Sequence, residues 1–366
     1  MPSPATKLPR VLALRSLSQA AYMCLCLTLP LALHAGPAGV SPTAASKPVI
    51  GGEETVFFYT HVAGHRILGR SDSLGRCKAF LGHAGQGWLS YPDAGIDGDD
   101  LCAITSADGS RFALISSRGG AVNLWLVSAD GRGMEDLTDD DGGILAASDV
   151  HSQSAAFSAN GQRLAWVQRG RAWVMDLQLR QPHTLSPRRG VDAVAWSPDG
   201  KWLAVGTGQS IHKIGLDGEP DFVMVPSGVK QPLLIWDPDA KSETLYFINQ
   251  GLNKVDQQRK IEMLIPSPVS PNTVSLLAGK DAVLLDVASG GRVEAFRGSL
   301  GGKPALTQIT LGGADSVWAL GKSLYFMRGD ELWRCEPDGS KARPLVDGPV
   351  DGMSTGILAP LKGVCP

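Results

Sequence analysis

Charge is scarce in this chain. Charged residues make up 19% of the 366, and the formal net charge is −2. No stretch gathers Lys and Arg into a basic stripe, which argues against a nucleic-acid partner, because phosphate binding needs clustered cations. Long periodic segments of Ala, Glu, Lys and Leu are also missing, which removes helix bundles and coiled coils. No apolar run reaches the ~20 residues that a membrane-crossing helix needs. The six cysteines show neither a CxxC pair nor Cys/His zinc spacing, so no structural metal is implied. No cofactor is implied either. The glycines of "GTGQS" at 206–210 are too few for a dinucleotide fingerprint, and no helix follows them.

Glycine (44) and proline (24) are plentiful, and 43% of the chain is hydrophobic. That composition describes short strands joined by tight turns around a sizeable core.

The first residues form a separate segment. Lys7, Arg10 and Arg15 precede the apolar run "AAYMCLCLTLPLAL" at 20–33, and small residues follow in "HAGPAG". This is the pattern of an export signal over residues 1–35, with cleavage after Ala35. An uncleaved membrane anchor is the alternative. Residues 36–52 read as a flexible leader. Without residues 1–35 the net charge becomes −5, and Cys77, Cys102, Cys335 and Cys365 remain. An even cysteine count in an exported chain allows disulfides.

Similar units recur along the rest of the chain: "TSADGSRFALISS" from Thr105, "FSANGQRLAWVQR" from Phe157, "WSPDGKWLAVGTG" from Trp196 and "WDPDAKSETLYFINQ" from Trp236. Each has Ser or Asp, then a turn, then an alternating strand, and three of the four open on an aromatic. Pro198 has its φ fixed for the first central turn position, and Gly200 gives the relief a tight hairpin needs. The motif builds a fold and carries no chemistry. A second hairpin follows each unit. Counting these gives seven, around 65–81, 122–138, 171–186, 210–225, 252–265, 282–296 and 332–346. Four short strands per unit at this spacing predict an all-β fold, a single β-propeller of four-stranded antiparallel blades. Seven blades are expected, with six or eight as alternatives. The domain spans 53–361, and 362–366 form a tail. "GMSTGILAP" at 352–360 is expected to complete the first blade, closing the ring by joining the two chain ends.

These units resemble the WD40-like repeat of the TolB family of periplasmic β-propellers, most clearly between Thr105 and Ile265 and again from Ser323 to Val346. TolB-type propellers have six blades and an N-terminal α/β domain, and neither feature is read here. The resemblance implies a periplasmic or secreted protein. Ring closure places Cys365 near Cys335 and favours the pairs Cys77–Cys102 and Cys335–Cys365.

A propeller sorts its connections onto two faces. The "SPDG" and "ADGRG" turns fall on one. On the other fall His61 and His65 of "YTHVAGHR", His83 and Trp88 of "LGHAGQGW", Asp97, Asp99 and Asp100 of "DGDD", Asp139, Asp140 and Asp141, and His151 of "SDVHSQS". These are the candidate binding residues at the channel mouth. No catalytic set is complete. Ser354 of "GMSTG" matches the nucleophile-elbow pattern, but no helix follows it and no His lies beyond His212. The function expected is an exported, non-catalytic scaffold for another envelope or extracellular protein, touching membrane only through its export signal. A metal-assisted polysaccharide lyase is the alternative, and it requires at least three of His61, His65, His83 and His151 to converge. A carbohydrate-binding propeller is the other, and it requires solvent-facing Trp residues.

Overall fold

The computed structural model describes residues 53–83, 86–138, 142–185, 190–216, 221–229, 233–266, 274–276, 282–289, 292–300, 305–346 and 348–358. The export signal, the leader, Asp139 to Asp141 and Cys365 lie outside the described residues.

The strands form seven antiparallel sheets. Each has an inner strand followed outward by three more. The second blade, for example, runs Asp100–Thr105, Arg111–Ser116, Asn123–Ser128 and Glu135–Asp136. The first blade takes its inner strand, Met353–Leu358, from the far end of the chain. That strand pairs antiparallel with Glu53–Val62, from Phe58↔Met353 to Glu53↔Leu358. The expected ring closure is what the chain does, and it completes the first blade with a strand from the other end of the chain. A two-residue strand, Trp88–Leu89, adds a fifth member to this blade.

Alternation along the strands explains the core. In "RFALIS", Leu114 and Phe112 turn toward the first blade, while Ala113 and Ile115 turn toward the third. Both faces of each sheet are therefore apolar, and seven buried layers separate the blades around the ring.

The repeated Ser has a shared task. Ser197 Oγ donates to Asp199 Oδ1 at 2.6 Å and accepts Trp202 N–H at 3.0 Å, closing the turn over Gly200. Ser106 repeats this with Asp108 and Arg111, and Ser158 with Asn160 and Arg163. The aromatic at the start of the unit links blades. Trp196 Nε1 donates to Ala156 O at 2.9 Å in the previous blade, and Trp236 Nε1 to Ala195 O at 3.0 Å.

One element departs from the sequence reading. Residues 282–296 are not the second hairpin of the sixth blade. Ala282–Ser289 and Arg292–Ser299 are its middle pair, with Val274–Leu276 inside and Leu306–Gln308 outside. This blade lacks the Ser–turn signature, so its phase was not fixed by the repeat.

One cysteine also differs from expectation. Cys335 is a free, buried thiol, which corrects the Cys335–Cys365 pairing. Burial pushes it up to about 11. Neither Cys77 nor Cys102 is free. Cys102 packs in the layer between the second and third blades, and Cys77 directly precedes the outer strand Lys78–Leu81 of the first. No helix among the described residues is long and apolar enough to cross a membrane.

Candidate functional site

The second-to-third strand connections and the blade-to-blade connections share one face, here called the loop face. Over the first and second blades it gathers His61, His65, Arg66, Asp97, Asp99 and Asp351. Asp351 stands two residues before the ring-closing strand, and its carboxylate meets Arg66 Nε at 3.0 Å across 285 positions of sequence. His61 lies on the same carboxylate, 3.8 Å from it. His65 sits between two others, 3.6 Å from Asp99 and 3.8 Å from Asp97.

Arg66 organises this group. Its guanidinium stacks 3.9 Å from the centre of the Tyr59 ring and donates to the carbonyls of Asp100 and Leu101 at 3.1 and 2.9 Å. Its own backbone N–H goes to Asp99 Oδ1 at 2.8 Å. Gly352 at φ +105 leaves the room: a Cβ there would stand 2.9 Å from Arg66 Nη2.

Asp100 is a structural residue, contrary to its expected place in the binding set. It is wholly buried. Its carboxylate accepts Leu68 N–H and Ser116 Oγ at 2.9 Å, and Arg118 Nε at 2.7 Å. Arg118 also reaches the carbonyls of Leu81 and Gly82, so this buried pair bolts the second blade to the first. Trp88 is likewise a correction. It is 5% exposed, packs against Phe57 and Phe112, and donates its indole N–H to Ala129 O. It fills the layer between two blades and offers no stacking platform to a sugar.

The histidines do not converge. His83 pairs with Asp93 at 3.7 Å, whereas His65 pairs with Asp97 and Asp99. His151 belongs to the entry of the third blade, where burial holds its proton affinity below the ordinary histidine range. Among the described residues no group of three or more His, Cys, Asp or Glu side chains could hold a metal ion. The convergence that the lyase reading requires is therefore not found among them. Ser354 is fully buried in the ring-closing strand, opposite Phe57, and has no elbow geometry.

What the loop face does present is exposed. Tyr91, in the connection between the first and second blades, is 82% exposed. The Asp97 side chain is 100% exposed, His61 55% and Asp351 51%. Tyr91, Arg66 and Asp351 were not candidates in the sequence. Asp351 in particular becomes visible only once the ring is closed.

No protein-family model matches the chain, and no curated protein matches it. Solved structures do share its fold. TolB from Acinetobacter baumannii is similar at 14% identity and a TM-score of 0.50, over 70% of this chain and 63% of that one. Oligogalacturonate lyase from Vibrio parahaemolyticus is similar at 10% identity and a TM-score of 0.54, over 80% of this chain and 86% of that one. Porphyromonas gingivalis dipeptidyl peptidase 4 is similar at 10% identity and 0.51, over 80% and 54%. The chain thus spans less than two thirds of the TolB and of the peptidase. These likenesses establish the β-propeller fold. Proteins named for catalysis share the fold with proteins that are not, so the fold leaves function to the site.

Proposed function

We propose that this chain is an exported, non-catalytic β-propeller that binds another protein through the loop face of its first and second blades. The observation that carries the reading is a set of exposed groups on a rigid base. Tyr91 and the carboxylates of Asp97, Asp99 and Asp351 stand in or near solvent. Beneath them the buried Asp100–Arg118 pair and the Arg66 contacts fix the backbone. A backbone held this way loses little freedom on docking. An exposed Tyr suits a buried anchor at an interface, and a rim of carboxylates favours a partner surface carrying Lys and Arg. Export rests on residues 1–35 and on the TolB-like fold.

The test uses the full chain produced in its own host, with crosslinking in the envelope or culture fluid. The mature protein is expected to begin at Gly36 and to crosslink one defined partner. Combining Tyr91→Ala with Asp97→Lys is expected to abolish that crosslink. Leu179→Ala is the control, because Leu179 is 69% exposed on the opposite face. Equal crosslinking by the loop-face variant and the wild type would refute the reading.

A further inference from the structure

One residue ties three blades together at their entries. Gln153 stands two residues before the inner strand Ala155–Phe157 of the third blade and is 5% exposed. Its Nε2 donates to Leu234 O at 2.5 Å, and its Oε1 accepts Leu234 N–H at 2.8 Å. Leu234 leads into the inner strand of the fifth blade, Ile235–Trp236. The Gln153 carbonyl accepts Val194 N–H at 2.9 Å, from the inner strand of the fourth.

The remaining group of Gln153, its backbone N–H, donates to His151 Nδ1 at 3.2 Å. That contact fixes the imidazole. Nδ1 must be bare, so the ring is neutral with its proton on Nε2. The main-chain carbonyl of Asp192 is a hydrogen-bond partner of the same ring. The backbone beneath is held as well: His151 N–H goes to Ser154 Oγ, and Ser154 N–H returns to His151 O, both at 3.0 Å.

We infer that His151 is a pH-sensitive latch, whose protonation releases the Gln153 staple joining the third, fourth and fifth blades. A protonated ring carries N–H on both nitrogens. Nδ1 then meets the Gln153 N–H donor to donor. Gln153 must move, and its side-chain amide leaves Leu234. The charged surroundings do not prevent this. Burial opposes the proton most strongly, and Asp149, on the same connection, attracts it. Asp192, on the neighbouring strand, is pushed up to about 6 by its own burial, so its carboxyl sheds charge on acidification and offers an imidazolium no compensation. The inference does not depend on where a partner docks.

Amide hydrogen exchange of Leu234 tests it, because that N–H is held by the staple. Corrected for intrinsic exchange, its protection is expected to fall about tenfold as the pH is lowered from about 7 through and below the ordinary histidine range to about 4, the factor one lost hydrogen bond is worth. His151→Asn supplies a side-chain oxygen that can accept the N–H two residues on without titrating. Its Leu234 protection is expected to stay flat with pH. Gln153→Ala is expected to show low, flat protection. A pH response unchanged in His151→Asn, or none in the wild type, would overturn the latch.

Discussion

Asp192 offers the sharpest test of the energetics. It occupies a β-bulge at the start of the fourth blade's inner strand, between Val191, paired with Thr207, and Ala193, paired with Gly206. Its Oδ1 is buried and has no hydrogen-bond partner among the described residues. Burial raises its pKa from 3.8 to about 6, opposed only by its own and the Ala193 backbone N–H groups. The sign follows from linkage. The folded state binds this proton more readily than the unfolded chain, so the ionised carboxyl destabilises the fold at every pH above about 6. That cost shrinks as pH falls from about 6 toward 3.8 and is absent below. A shift of this size corresponds to about 3 kcal/mol at ~1.36 kcal/mol per unit. Solvent reaches part of the group and screens it, so about 1–2 kcal/mol is expected. Asp192→Asn keeps the shape and removes the ionisation. Urea unfolding followed by tryptophan fluorescence should find the variant more stable by that amount near pH 8, with the gain gone near pH 4. A gain that does not change with pH, or a loss near pH 8, would refute the assignment of the cost to desolvation.

Two substitutions test the links between blades. Asp100→Ala strands the Arg118 guanidinium, whose side chain is 6% exposed, and is expected to cost about 3–5 kcal/mol in the same unfolding assay. Trp236→Phe keeps most of the packing but deletes the indole donor to Ala195 O. It is expected to cost about 0.5–1.5 kcal/mol, the net worth of one hydrogen bond, because Ala195 also pairs with Ala204 in its own sheet.

The fold was legible because its signals are local and repeated. Ser197, Pro198, Asp199 and Gly200 settle one turn among themselves, and the same solution at Ser106 and Ser158 reveals the period. Where the Ser–turn pattern fades, around 274–299, the strands were found but assigned one place too far out in the blade. Ring closure was also readable, since an unmatched segment at 352–360 had to complete a sheet that otherwise lacked an inner strand. The loop face resisted for the opposite reason. Histidines and aspartates could be placed there one by one, but their roles depend on partners that topology supplies. Asp100 looks like any residue of "DGDD" until Arg118 and the Leu68 amide enclose it. Trp88 looks like a loop residue until Phe57 and Phe112 close around it.

His151 shows how far that dependence goes. Residue type alone suggested a metal ligand or a solvated loop position. The structure gives the ring a donor, Gln153, whose side chain reaches 81 positions along the chain to Leu234. A group so placed cannot change protonation without disturbing backbone in three blades. The pH response therefore follows from the connectivity of the ring and would be lost if the same residues lay on an open sheet. The propeller contributes more here than a rigid platform, because closing the circle makes the entries of successive blades neighbours and lets one imidazole act on several of them.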